Sequence, residues 1–351
     1  MEKQKSIQDM VDFLICPGFA EKDGRITRCN EAAARLFLSP DMEVEPLLVT
    51  GREEYRELSS GCLCLSLSLA GDVRGAVVTV MDGCRLFLVD QEQELRELQV
   101  LALAAQELRT PLSNIMVSAE RVIPAEEKSR EHQGQLNRGL NQMLRLIGNM
   151  SDALRYAKGS HPETRNVTAI VSELLDKAQA LAEESGLTLT GEIPQEEIYS
   201  LVDSEQLERA VYNLLSNAFK FTPAGGSVHL ALTRRHQMLR LSVEDSGSGI
   251  AQGVMQNAFT RYLREPSLED SRYGLGLGLV LVRAAAANHG GTVLLDHPGE
   301  GTRVTMTLAI RETATAGLQS PRLRVDYAGE RDHGLLELSE VLPARLYQEE
   351  L

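Results

Sequence analysis

Apolar positions change rhythm along the chain. Between residues 10 and 90, short β-rich runs alternate with one predicted helix. Residues 76–81 and 84–89 read as strands, because branched and aromatic side chains dominate them. From 91 to 122, Leu95, Leu98, Leu101, Ala105, Leu108, Leu112, Ile115, Ala119 and Val122 recur at intervals of three and four, the period of one long amphipathic helix. Pro124 ends it. After a charged turn, Leu136, Leu140, Met143, Ile147, Met150 and Leu154 step by four and three, a heptad seam. Two helices with one apolar face each cannot bury those faces alone. Pairing with a second chain makes a four-helix bundle, so a homodimer is expected; packing against the amino-terminal region is the alternative.

Beyond residue 165 the pattern is α/β. Helices are predicted at 168–185, 204–221 and 279–288, and strands at 187–192, 228–234, 239–245, 292–296 and 302–310. Residues 312–351 lie past that core. Ser320 and Pro321 read as linker, while Leu335, Leu336, Leu338, Val341 and Leu342 offer a short docking element; a weakly docked tail is the default expectation. The expected layout is a sensory domain at 1–90, a helical hairpin at 91–160, an α/β domain at 161–311 and a tail at 312–351.

Composition narrows the partners. Apolar content of 43% and charged content of 25% over 351 residues suit two or three globular domains. A net charge of −14 leaves no basic stripe to neutralise phosphates, which argues against nucleic acid or an anionic membrane surface. No apolar run nears the roughly 20 residues that span a bilayer, and no signal-like core follows the amino terminus. A cytoplasmic protein is expected. Cys16, Cys29, Cys62, Cys64 and Cys84 all lie in the first quarter, odd in number and without a C-x-x-C pair. Buried or edge thiols in a reduced compartment are the expected reading.

The candidate chemistry begins on helix 204–221. Asn213, Asn217 and Lys220 share one face, opposite Leu207, Val211, Leu214, Leu215 and Ala218. Amide oxygens suit Mg²⁺, and an ammonium suits phosphate. Alone, such a face is more often merely solvated. Here Asp245-Ser-Gly-Ser-Gly249 follows a predicted strand, where a carboxylate can accept from an adenine amino group. Gly247 and Gly249 permit close backbone approach. Phe259 and Arg264 come next, then Gly274-Leu-Gly-Leu-Gly278, opening a helix whose free N–H groups suit phosphate. The separation of Asp245 from Gly274 leaves a charged loop, 261–273, long enough to close over a nucleotide.

Four such boxes in order resemble the N, G1, F and G2 boxes of the GHKL ATPase superfamily, and within it the sensor histidine kinases of two-component systems. The resemblance covers residues 95–311. It implies a Bergerat-type α/β sandwich behind a dimerisation hairpin, with ATP and Mg²⁺ as cofactors. By resemblance, Asn217 coordinates Mg²⁺ with Asn213 in support. Lys220 and Arg264 contact phosphates, and Phe221 packs at the nucleotide. Asp245 reads adenine with Gly247 and Gly249 beside it, while Gly274, Gly276 and Gly278 form the lid hinge. Leu275 stands where the family often has Thr or Ser, at the expense of one phosphate contact. Nearer the amino terminus, the Asp23-Gly24 turn, a short strand, and Asn30 before an Ala-rich helix resemble the start of a PAS domain. No His lies there to ligate haem.

Gln106-Glu-Leu-Arg-Thr-Pro-Leu112 resembles the family's phospho-acceptor box, which begins with His. A carboxamide nitrogen has its lone pair delocalised into the carbonyl and is a very poor nucleophile. Self-phosphorylation at position 106 is therefore not expected. Glu107 and Thr110 lie on one helical face and, by resemblance, leave open dephosphorylation of a response-regulator receiver domain, or action on a partner histidine kinase in a heterodimer. The alternative is a non-enzymatic, ligand-responsive dimeric scaffold. Of the other histidines, none lies in an acceptor-like sequence.

Overall fold

Three two-residue loops shape the amino-terminal part of the chain. Asp23-Gly24, Ala70-Gly71 and Asp82-Gly83 all have positive φ at both positions, from 48° to 89°. That is the geometry of hairpin turns whose twist matches that of the strands they join. They connect β1 (Gly18–Lys22) to β2 (Arg25–Cys29), β3 (Cys62–Leu69) to β4 (Asp72–Met81), and β4 to β5 (Cys84–Val89). The computed structural model describes residues 7–12, 14, 16–90, 104–109, 112–113, 115–116, 119, 127–250, 277–311 and 332–348.

The strands expected at 76–81 and 84–89 are β4 and β5. The expectation of one helix in this region is corrected: Ile7–Asp12, Glu31–Ala34 and Arg52–Glu57 are all helical. None exceeds six residues, too short to print a period on the sequence. Asn30 starts the second by accepting from Ala33 N at 2.9 Å and from Gly18 N at 3.2 Å, tying helix to strand. Phe19 and Phe87 stack at 4.3 Å in the core beneath.

The carboxy-terminal half has helices Val167–Glu184, Ser204–Phe221 (the Asn helix) and Gly278–Asn288. Its strands are β7 (Thr188–Glu192), β9 (Ser227–Arg235), β10 (Met238–Asp245), β11 (Val293–Asp296) and β12 (Thr302–Ala309), close to the predicted bounds. Leu230, Leu232, Leu239, Leu241 and Met306 meet Val211, Leu214 and Leu215 of the Asn helix in one core. A pair the periodicity missed, β6 (Glu163–Asn166) with β8 (Tyr199–Val202), forms a separate two-stranded sheet. Glu163, Thr164, Arg165 and Asn166 show no apolar alternation, so nothing marked β6 in advance.

Among the described residues, ten strands join into one sheet of order β2-β1-β5-β4-β3-β11-β12-β10-β9-β7. Only the β7–β9 pair is parallel. The two halves meet where β3 pairs antiparallel with β11, Cys62 opposite Leu295 and Cys64 opposite Val293. Gly61, at φ 82°, lets Leu295 O come close beside this seam, where a Cβ would collide with it. Arg283 and Asp90 add an ion pair across it at 2.5 Å.

The second hairpin helix is Glu127–Ala157, and the described residues between 104 and 119 are helical too. Ala105, Leu112, Met116 and Ala119 bury against Leu140, Leu144 and Ile147. Leu108, Ile115, Leu136 and Met143 remain 48–52% exposed. The heptad seam is thus split, with only part of it covered within one chain. No helix among the described residues is long and apolar enough to cross a membrane.

Candidate functional site

The Asn helix begins where Asp203 accepts from Gln206 N at 3.2 Å, filling one orphan donor of the first turn. The preceding strand places that cap, and His289 holds it from behind. His289 Nε2 accepts from Asp203 N at 2.9 Å, while its Nδ1 pairs with Ala285 O at 2.7 Å. Both contacts require neutral imidazole with the proton on Nδ1. Burial, offset in part by the Ala285 carbonyl, holds the His289 pKa below its ordinary value. The His289 side chain is therefore a buried structural link.

Along the helix, Asn213 is 1% exposed, Asn217 half-buried and Lys220 half-buried. The expected division into an open polar face and a buried apolar face is corrected at Asn213. Its Nδ2 donates to Arg209 O at 2.8 Å, and its Oδ1 accepts from Arg145 Nη2 at 3.4 Å. Gly278 lies directly opposite, where a Cβ would stand 2.9 Å from Asn213 Oδ1. The side-chain amide of Asn217, one turn on, makes no hydrogen bond among the described residues. Its oxygen is a hard donor suited to Mg²⁺.

The far end of the helix meets the D-S-G-S-G turn. A Cβ on Gly247 would stand 2.5 Å from Phe221 O and 2.7 Å from Asp245 Oδ1. Asp245 closes β10 at 9% exposure, and its Oδ1 accepts from Gly247 N at 2.8 Å and Thr302 N at 3.3 Å. Burial raises its pKa above the ordinary carboxylate value, and the two backbone donors pull the other way. Gly249 needs its left-handed φ of 73°, and a side chain there would run into the His297 ring. Phe221 is 41% exposed. A recess of about 220 Å³ opens beside Asp245 between Ser227, His229, Glu244, Ser246 and Glu300. It shares only Asp245 with the predicted set.

The Asn helix thus meets Gly278 through Asn213 near its middle and Gly247 through Phe221 at its end, where Asp245 also lies, and it carries Asn217 and Lys220 between those two points. Arg264, Gly274 and Gly276 lie outside the described residues, as do Phe259 and Leu275. On the hairpin, Gln106 and Glu107 are exposed, and Thr110 lies outside the described residues.

Residues 202–312 match the ATPase domain described as histidine kinase-, DNA gyrase B- and HSP90-like. Residues 96–159 match the phospho-acceptor domain of histidine kinases, His Kinase A. The chain belongs to the two-component sensor histidine kinase family. Sensor histidine kinase CusS of Escherichia coli (strain K12) is 30% identical over 211 residues, 58% of this chain and 44% of CusS. Adaptive-response sensory kinase SasA of Synechococcus sp. (strain JA-2-3B'a(2-13)) is 31% identical over 243 residues, 64% of each chain. This family chain thus spans about half to two thirds of the length of such relatives. The crystal structure of full-length ShkA in complex with AMPPNP shares the fold, with a TM-score of 0.50 at 24% identity, covering 61% of this chain and 47% of that one.

Sequence reasoning missed a buried polar network on this kinase-family helix. Arg209 pairs with Asp152 Oδ2 at 2.5 Å, with Asn149 Oδ1 at 3.0 Å and with Glu337 Oε1 at 3.3 Å. Arg145 pairs with Glu337 at 3.3 Å and Glu340 at 3.2 Å, and Lys220 with Glu340 at 2.9 Å. Burial raises the Asp152 pKa against the pull of Arg209 and Arg155. These groups come from the hairpin, the Asn helix and the segment 332–348. The helix His333–Glu337 is too short to show a period, so only the charge of Glu337 and Glu340 hinted at partners.

Proposed function

We propose that this family member binds Mg·ATP along the Asn helix and signals through a two-component system without phosphorylating itself at position 106. The observation that carries the nucleotide reading is the convergence of Asn213 with Gly278, and of Phe221 with Gly247 and Asp245, within the matched ATPase domain. Asp245 would accept from the adenine amino group, and Asn217 would hold Mg²⁺ with Asn213 braced behind it. Lys220 and Arg264 would neutralise phosphates, and Gly274, Gly276 and Gly278 would hinge the lid. Mg²⁺ would supply charge neutralisation between phosphate oxygens.

Gln106 supplies no nucleophile, so the output falls to Glu107 and Thr110 acting on a phosphorylated receiver domain, or to phosphorylation of a partner kinase in a heterodimer. The exposed Leu108, Ile115, Leu136 and Met143 support a dimer, since a second hairpin would cover them. The strand order β2-β1-β5-β4-β3 with its short helices supports a PAS-like sensory domain at 1–90. We place the hairpin at 91–160, the ATPase domain at 161–311 and a tail beyond it, in a cytoplasmic protein. The absence of the acceptor imidazole favours one second reading, a scaffold whose nucleotide state is read by a partner.

Titration with Mg·ATP and Mg·GTP tests the nucleotide reading. The unmodified chain should prefer ATP, and Asp245→Ala should lose about ten-fold in ATP affinity together with the preference. Equal affinity for both nucleotides, unchanged in the variant, contradicts it. Incubation with a phosphorylated cognate receiver domain then separates the readings. Faster phosphate loss supports the enzyme, and no acceleration or transfer supports the scaffold.

A further inference from the structure

The carboxylate of Glu340 bridges two cations from different elements. Its Oε2 lies 2.9 Å from Lys220 Nζ on the Asn helix, and its Oε1 lies 3.2 Å from Arg145 Nη1 on the second hairpin helix. Arg145 is 4% exposed, and its Nη1 is buried without a hydrogen-bond partner, so Glu340 meets it with charge but poor alignment. A pair of converging cations, one with an ill-used donor, describes an anion site whose present occupant is not its best one. Resting on the nucleotide reading above, we propose that Lys220 and Arg145 form one phosphate-binding site, which Glu340 fills until the polyphosphate of a nucleoside triphosphate displaces it.

The segment around Glu340 is built to be held and yet to leave. Hairpin side chains grip its backbone: Gln142 Nε2 and Arg138 Nε donate to Ser339 O, each at 3.0 Å. Arg138 Nη2 also donates to Glu340 O, and Asn137 Nδ2 to Tyr347 O, each at 2.9 Å. Leu336, Leu338 and Leu342 are buried beneath. Glu340 itself keeps 22% of its side chain in solvent, while Glu337 keeps 2%. Glu337 therefore anchors, buried between Arg145 and Arg209, and Glu340 is the residue able to turn out without unseating the segment. Exchange of a carboxylate for a more highly charged polyphosphate would also join the hairpin to the ATP domain through one ligand. Arg145 then becomes a nucleotide-sensing residue on the helix beside the Gln106 box.

Glu340→Gln in the full chain tests this, with Mg·ATP and phosphate-free adenosine titrated against both proteins. The amide keeps the shape and removes the competing charge. ATP affinity should rise about five-fold or more, and adenosine affinity should stay level. In the Glu340→Gln background, Arg145→Lys keeps charge but removes the forked head, and should return at least half of that gain. Unchanged or weaker ATP binding in Glu340→Gln overturns the proposal, as does an equal gain for adenosine. A gain retained in full by the double variant also overturns it, by removing Arg145 from the site. If both proteins bind ATP equally, only this inference falls. If neither binds ATP at all, the nucleotide reading falls with it.

Discussion

Gly278 faces Asn213 so closely that a Cβ on the glycine would stand 2.9 Å from the asparagine Oδ1. This contact joins the start of helix Gly278–Asn288 to the middle of the Asn helix. Asn213 is also buried and bonded to Arg209 O and Arg145, so it has no room to retreat. Gly278→Ala should therefore tilt the Asn213 amide or push the helix start outward. The expected result is about a ten-fold weaker Mg·ATP affinity with the thermal unfolding midpoint shifted by only a few degrees. Calorimetric titration beside a melting curve reads both, and an unaffected affinity would remove this contact from the nucleotide site.

Leu108, Ile115, Leu136 and Met143 are each about half exposed. The dimer reading requires a second hairpin to cover them. Leu108→Lys with Met143→Lys should convert a dimer to a monomer at micromolar concentration in analytical ultracentrifugation, with the far-ultraviolet helix signal retained. A monomeric unmodified chain would contradict the reading.

Arg209 sits 4% exposed at the side chain, between Asp152 and Glu337. Removing it takes one cation from each of two buried carboxylates, leaving Asp152 to Arg155 and Glu337 to Arg145. Arg209→Ala should cost about 3–5 kcal/mol in urea unfolding. Arg209→Ala with Asp152→Asn should recover part of that, because one buried charge that lost its closest partner is gone. A loss under about 1 kcal/mol would mean that water reaches the network.

His289 gives the protein an acid limb to its stability. Its native pKa is depressed by burial below the 6.5 of an exposed imidazole. The unfolded chain therefore takes up the proton first as pH falls. The stability is complete above pH 6.5 and is lost progressively below it, down to the depressed native pKa. Melting midpoints at pH 7.5 and 5.5 should fall further in the unmodified protein than in His289→Ala. An equal fall would assign the acid sensitivity elsewhere.

The α/β half was legible because its helices are long enough to show a period and its strands alternate cleanly. The Asn helix and β10 lie where the pattern put them, and Asp245 falls at a strand end as read. What periodicity could not show was what covers a polar face. Asn213 looked solvated because nothing in its own helix announces Arg145, 68 residues earlier, or the carboxylates more than a hundred residues later. Short elements failed for a related reason: six residues of Ile7–Asp12 and four of β6 carry too few positions for a rhythm. The β3–β11 seam was illegible altogether, since residues 62–69 were not singled out as a strand and strand pairing is set by tertiary packing.

The central claim concerns Gln106, exposed on the first hairpin helix within the matched acceptor domain. The most direct measurement incubates the unmodified protein and Gln106→His with γ-phosphate-labelled Mg·ATP, then treats each with acid and with base. The account predicts no acid-labile, base-stable label on the unmodified protein and its appearance in Gln106→His. Such a label on a histidine of the unmodified protein would contradict it.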